Sequence, residues 1–263
     1  MLHFFPLSCQ FASRVVLALA LSLAVTQPLF SAHPHPQPTP ISPAATAANS
    51  SQPTLDALNP TWRATERWAG FSPAGTHYLY LESSRDTGAG IPTSTLQLVD
   101  LAKNRCLANG CIQTHYRESD APQSFQSGET SLLTTTTPIR QTWQLMELVP
   151  GQQLEVRSRS RSQEGGETVG LMLPSGIPVE IQLQQRRLNQ AMPQAALQLT
   201  IRHQGRTQVL GSLQALRPQV LDYSIRAVQL SPNGHHLAIL VTELNPTFEG
   251  TLGTTVVQGL VLQ

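Results

Sequence analysis

The sequence predicts a mainly β protein, with antiparallel sheet arranged as a sandwich or in a propeller-like way and one short helix. Three observations lead there. Period-two alternation recurs, as where Val179, Ile181 and Leu183 interleave with Glu180, Gln182 and Gln184, or Leu197, Leu199 and Ile201 with Gln198, Thr200 and Arg202; such strands have one buried and one wet face. A turn signature occurs twice, as Phe71-Ser72-Pro73-Ala74-Gly75 and Leu230-Ser231-Pro232-Asn233-Gly234, each followed by an apolar run of strand length. In both, proline sets φ near roughly −65° and glycine accepts a positive φ. Charged residues make up only 13%, about half the usual quarter, so Gln, Ser and Thr must cover the surface, as suits an exported β domain.

In chain order, residues 1–32 form a secretory signal peptide: Arg14 is its positive charge, 15–25 its apolar segment and Phe30-Ser31-Ala32 its cleavage site. The apolar run breaks at Gln27-Pro28, too short to cross about 30 Å of hydrocarbon, so no stable membrane span is expected after cleavage and the product is periplasmic or secreted. Cys9 precedes the apolar segment, which argues against a lipid anchor. Residues 33–60, rich in Pro, Ala, Ser and Thr, read as a disordered linker. His33 and His35 at the new terminus could chelate copper or nickel, but Pro34 removes an amide donor and a plain solvated tail is favoured.

Residues 61–263 are expected to form a single β-rich domain. Trp62 and Trp68 are placed against the first turn. Strands follow at 78–82 and 94–101, joined by a long loop at 83–92. Cys106 and Cys111 bracket Asn109-Gly110, which favours a disulfide across a short hairpin in an oxidising compartment over a metal pair. Thr137 caps a helix with Pro138 in its first turn, Ile139, Trp143 and Met146 on one face and Gly151 beyond its end; four successive threonines, 134–137, argue against upstream extension. Strands resume from Leu154, and 237–241 and 254–262 repeat the long-looped hairpin around Asn245-Pro246-Thr247-Phe248-Glu249-Gly250. The two hairpins are expected side by side.

Sites are harder to read. A net charge of +1 and 5% aromatics disfavour nucleic acid as partner. No Gly-x-Ser-x-Gly elbow, His-Glu-x-x-His motif or phosphate loop occurs, so no catalytic residue is assigned. His235 and His236 point to opposite faces of a strand and make a poor metal pair, and His77, the counterpart of His236, is read as a turn-edge residue. Arg157, Arg159 and Arg161 share one strand face, which could meet an anionic polysaccharide or lipid headgroup; the glutamates nearby favour a solvated sheet edge instead. If the hairpin loops meet, Glu82, Asp86, Glu243 and Glu249 gather at one rim that could bind Ca²⁺. Since Ca²⁺ needs about six or more converging oxygens, loop acids pointing to water remain the favoured reading.

The segment 70–106, with its Gly-Phe-Ser-Pro-Ala-Gly start, its Asp86-x-Gly88-x-Gly90-x-Pro92 loop and the strand from Leu96 to Cys106, resembles a bacterial family of predicted secreted proteins, domain of unknown function 2259. So does the stretch 220–250. The middle, about 112–206, matches by position only. That family carries no established activity, so the resemblance implies export and domain extent alone. A weaker resemblance is to blades of periplasmic β-propellers, which need four or more repeats where this chain has two signals. The leading functional reading is a non-enzymatic module that binds or scaffolds an unidentified envelope component; the runner-up is a periplasmic hydrolase with its site on the long hairpin loops.

Overall fold

The structure, a computed structural model, describes residues 58–85, 88–188 and 192–262. The expected signal peptide, His33, His35, the linker as far as residue 57, and Asp86 lie outside the described residues. Five strands come first: β1 (Trp62–Arg63), β2 (Thr65–Phe71), β3 (His77–Arg85), β4 (Pro92–Asp100) and β5 (Arg105–Gln113). Helices α1 (Phe125–Thr135) and α2 (Thr137–Thr142) follow. Next come β6 (Gln152–Gln153), β7 (Val156–Arg161), β8 (Glu167–Met172), β9 (Pro178–Leu188), β10 (Gln194–His203), β11 (Arg206–Gly211) and β12 (Arg217–Pro218). Finally, β13 (Asp222–Leu230), β14 (His236–Thr247) and β15 (Gly250–Val261) close the chain.

These strands make three sheets, ordered β2-β3-β4-β5, β1-β15-β14-β13-β6 and β11-β10-β9-β8-β7, with β12 beside β10. Buried clusters join the first sheet to the second and the second to the third, so the mainly β, antiparallel build is as expected, with the sheets packed on one another. The apolar run after each repeated turn is explained by this stacking, because both strands are covered on both faces. On β3, Tyr78 and Tyr80 meet Ala238, Leu240 and Val257 of the second sheet, while Leu79 and Leu81 turn to a cluster with Leu132 and Leu145 from the helical side. On β14, Ala238 and Leu240 face the first sheet and Leu237, Ile239 and Val241 face the third, against Ile181, Leu183 and Leu199. A strand buried on both faces reads as a continuous apolar run.

The two turns touch. Ser72 N–H donates to His77 O at 2.9 Å and Ser231 N–H to His236 O at 2.9 Å, so the copies fold alike, and Gly75 and Gly234 take φ of 71° and 75°. Asn233 Nδ2 donates to Ala74 O at 2.6 Å, from one copy to the other. The hairpins therefore lie side by side, with Arg85 and Glu249 lining a common pocket at their far ends.

Several elements differ from expectation. The second hairpin has no long loop: β14 and β15 pair through Thr247 and Gly250, leaving Phe248 and Glu249 as the turn. Pairing of β14 with β13 stops at Leu244, so Pro246, which lacks an N–H, sits where the other edge of β14 has no strand. In the helical region α1 runs through the threonines expected to oppose it. Ser124 accepts from Ser127 N–H at its start, and the hydroxyls of Thr136 and Thr137 donate to Leu132 O and Leu133 O at 2.8 and 3.0 Å, satisfying carbonyls at its end. A propensity penalty of a few tenths of a kcal/mol per threonine is small beside the burial of Leu132. Helix α2 stops long before Gly151, because Gln144 adopts a φ of 54°; Met146 falls outside it and is exposed. Trp62 and Trp68 are half exposed instead of packed away.

The arginine face is also not a solvated edge. A bulge between Val156 and Ser158 sets Arg157 apart, where it pairs with Glu155 at 3.1 Å. Arg159 and Arg161 turn inward onto the fully buried Glu167, and Arg161 also reaches Asp222 at 2.7 Å. Burying a carboxylate is costly unless it is paired, and the two guanidinium groups pair this one.

Candidate binding groove

Beyond its short parallel contact with β1 at Leu252 and Gly253, β15 has a strand partner on one side only. Its outward backbone groups are nevertheless occupied, by side chains of the first sheet. Glu82 Oε1 accepts from Thr255 N–H at 2.9 Å; Gln97 donates to Thr255 O at 2.6 Å and accepts from Val257 N–H at 3.1 Å; Asn104 Oδ1 accepts from Gly259 N–H at 2.7 Å. The residues recur at every second position of β15, as outward N–H groups of a strand must. Carboxylate and amides thus stand in for a missing strand and close an edge that would otherwise be open to pairing.

Where the first and second sheets diverge around this edge there is a groove of about 810 Å³. One wall carries Thr93, Thr95 and Gln97 of β4, with Arg105 and Gln113 of β5 beyond them, and the floor is β15 from Thr254 to Gln258. The wall residues of β4 alternate with Leu96 and Leu98, which pack under the helices; hence the alternation in sequence sets the polarity of the groove. Thr93, Thr95, Arg105 and Gln113 make no side-chain hydrogen bond or ion pair with other described residues, so their polar ends are available to a ligand.

Glu82 continues the face of Tyr78 and Tyr80 and is only 3% exposed. Its Oε2 is buried without a hydrogen-bond partner. Desolvation pushes the carboxyl up to about 7, against the opposing pull of the Thr255 backbone and hydroxyl and of Arg226. Arg226 lies behind it, donating to Tyr80 Oη at 2.7 Å and to Thr255 Oγ1 at 2.9 Å.

Two of the other acids of the expected rim are among the described residues. Glu243 borders the same groove but continues the Leu237, Ile239 and Val241 face, opposite to the one that Glu82 meets, and is paired with Arg217 at 3.2 Å. Glu249 lies in the pocket at the hairpin tips, and Asp86 is outside the described residues. Among the described residues, no group of three or more His, Cys, Asp and Glu side chains could hold a metal ion. The burial of Glu82 was detectable in the sequence, since the alternation Tyr78, Tyr80, Glu82 assigns the acid to the tyrosine face.

Cys106 and Cys111 are bonded, with Cα atoms 5.7 Å apart. Their setting is not a hairpin. Both lie on β5, opposite Val99 and Gln97, and the bond clips the ends of a bulge, 107–110, in which Asn109 takes a φ of 58°. The bulge tucks Leu107 under the helices and leaves the cysteines on the groove wall. His77 and His236, at matching places after the two turns, are both buried. His77 stacks on Trp143 at 4.5 Å, and burial lowers the basicity of both imidazoles.

The fold and groove define a stacked-sheet β protein with a polar trough along a side-chain-capped strand. No described helix is long and apolar enough to cross a membrane. The chain belongs to the family described as Predicted secreted protein (DUF2259), whose profile matches residues 83–259. That span contains every residue bordering the groove except Ala64 and Glu82. No curated protein matches the chain.

Proposed function

We propose that this secreted protein is a non-enzymatic binding module of the cell envelope and that the groove beside β15 is where it binds. The observation that carries the reading is the groove's wall: hydroxyl, amide and guanidinium groups with no protein partner among the described residues, displayed at alternate positions of a sheet buried on its other face. Rigid display of unpaired polar groups supports recognition. A hydrolase is the second reading, and Glu82 is what favours it, because a carboxyl titrating near 7 is suited to general acid catalysis. Against it, the other acid at the groove, Glu243, projects from the opposite face of its sheet.

The test is to incubate the protein with soluble fractions of a bacterial cell-envelope digest. A fraction containing the ligand should raise the melting temperature of the wild type, by linkage of binding to folding, and leave Thr95→Trp, whose indole fills the groove, unmoved. Mass spectra of that fraction should stay unchanged. Equal stabilisation of Thr95→Trp would remove the groove from the account, and product masses that vanish with Glu82→Gln would favour the hydrolase.

A further inference from the structure

We propose that the groove takes a linear oligosaccharide and that the pocket at the hairpin tips, walled by Trp62 and Phe125, seats one sugar ring at its end. The inference rests on the groove being a binding site and adds the class of its occupant.

The end pocket, about 250 Å³, adjoins the groove, both being lined by Ser84, Arg85 and Leu252. Trp62 leaves 49% of its surface in water there. Phe125 is fixed by the Arg85 guanidinium, 4.9 Å over its ring, and that guanidinium is held by the carbonyls of Gly90, Ala121 and Gln123 at 2.8 to 2.9 Å. The guanidinium covers one face of that ring, so the half-exposed indole of Trp62 is the aromatic surface open to a ligand, with Phe125 a fixed part of the wall beside it. Glu249 borders the same pocket and makes no ion pair or hydrogen bond with another described residue.

A sugar ring has an apolar face of C–H groups and an edge of hydroxyls. Aromatic surface suits the first; an unpaired carboxylate and Ser84 suit the second. Further units of a chain would then run along Thr93, Thr95 and Gln113, whose polar ends can exchange hydrogen bonds with hydroxyls in either direction. A peptide suits the trough less well. Peptides commonly bind sheet edges by adding a strand, and the outward backbone groups at Thr255, Val257 and Gly259 are already taken by Glu82, Gln97 and Asn104.

The experiment is a ¹H–¹⁵N NMR titration of the exported protein with chitotetraose, cellotetraose and maltotetraose, and with tetra-alanine as the peptide probe. At least one oligosaccharide should shift the Trp62 indole N–H together with the amides of Thr93 and Thr95. Trp62→Ala should weaken that binding by about tenfold or more, while Trp62→Tyr, which keeps an aromatic face, should stay within about threefold of wild type. Unchanged affinity in Trp62→Ala would overturn the ring-seating pocket. Shifts with tetra-alanine and none with any saccharide would overturn the ligand class while leaving the groove as a binding site. No shift with any saccharide also overturns the proposal, and the groove itself is then judged separately by Thr95→Trp in the envelope-fraction experiment.

Discussion

Glu82 carries opposite consequences for stability and for the shape of the groove. Its carboxyl is raised from 4.5 to about 7 by burial, so between those values the folded protein holds a proton that the unfolded chain has lost. Stability therefore falls as pH rises through this window, by about 3 kcal/mol in all on the linkage of one unit to about 1.4 kcal/mol. His77 and His236 work from the other side. Burial lowers both below 6.5, with Lys103 adding to the effect at His77, His235 and His77 adding to it at His236, and Asp100 opposing it at both. The unfolded chain then takes up protons first, and stability falls as pH drops below 6.5. Denaturant titrations across pH should peak near neutrality on its acid side. Glu82→Gln should gain about 1–3 kcal/mol at pH 8 and almost nothing at pH 4, the gain growing as pH rises through the window between; an equal gain at both would mean that the carboxyl is not held above its usual range.

Among the elements, the close approach of β15 to the turn after β4 is the most sensitive to substitution. A Cβ on Gly259 would lie 2.7 Å from Leu101 O and against the Leu101 Cα, with backbone on both sides and nothing free to yield. Gly259→Ala should accordingly lose about 2–3 kcal/mol by overpacking. Gly176, in contrast, lies in a turn, where an added Cβ would meet nothing within 4 Å, so alanine at that position should lose less, and only through its φ of 80°. The disulfide acts more locally. It closes a loop five residues in sequence separation, for which chain entropy gives about 2 kcal/mol. A Cys106→Ser, Cys111→Ser variant is expected to remain folded with a urea midpoint lowered accordingly, and complete unfolding would show that the bulge supports more than Leu107.

On the scale of the whole molecule, the strands were legible because alternation survives wherever one face is wet, as in β4, β9 and β10. The repeated turns were legible because proline and glycine have few conformational options. What was hidden followed from stacking. The runs after the two turns read as strands without declaring that both faces are buried, and the tail of β14 read as a loop because Asn245-Pro246 is tolerated only at an edge that the sequence does not mark. Helix α1 was missed because its stability comes from Leu132 packing on leucines of β3 and β4 and from Thr136 and Thr137, just past its end, returning their hydroxyls to carbonyls four residues back. The groove was half legible: its acids were noticed, but Gln97 and Asn104, which cap β15 with Glu82, carry no motif.

The central claim is that side chains of the first sheet occupy the outer edge of β15 and so form the floor of the groove. Amide hydrogen exchange measures this directly. Thr255, Val257 and Gly259 should exchange about as slowly as Val256 and Gln258, which face β14, and Gln97→Ala should release Val257 selectively while Gly259 stays protected by Asn104. Fast exchange at all three amides in the wild type would contradict the account.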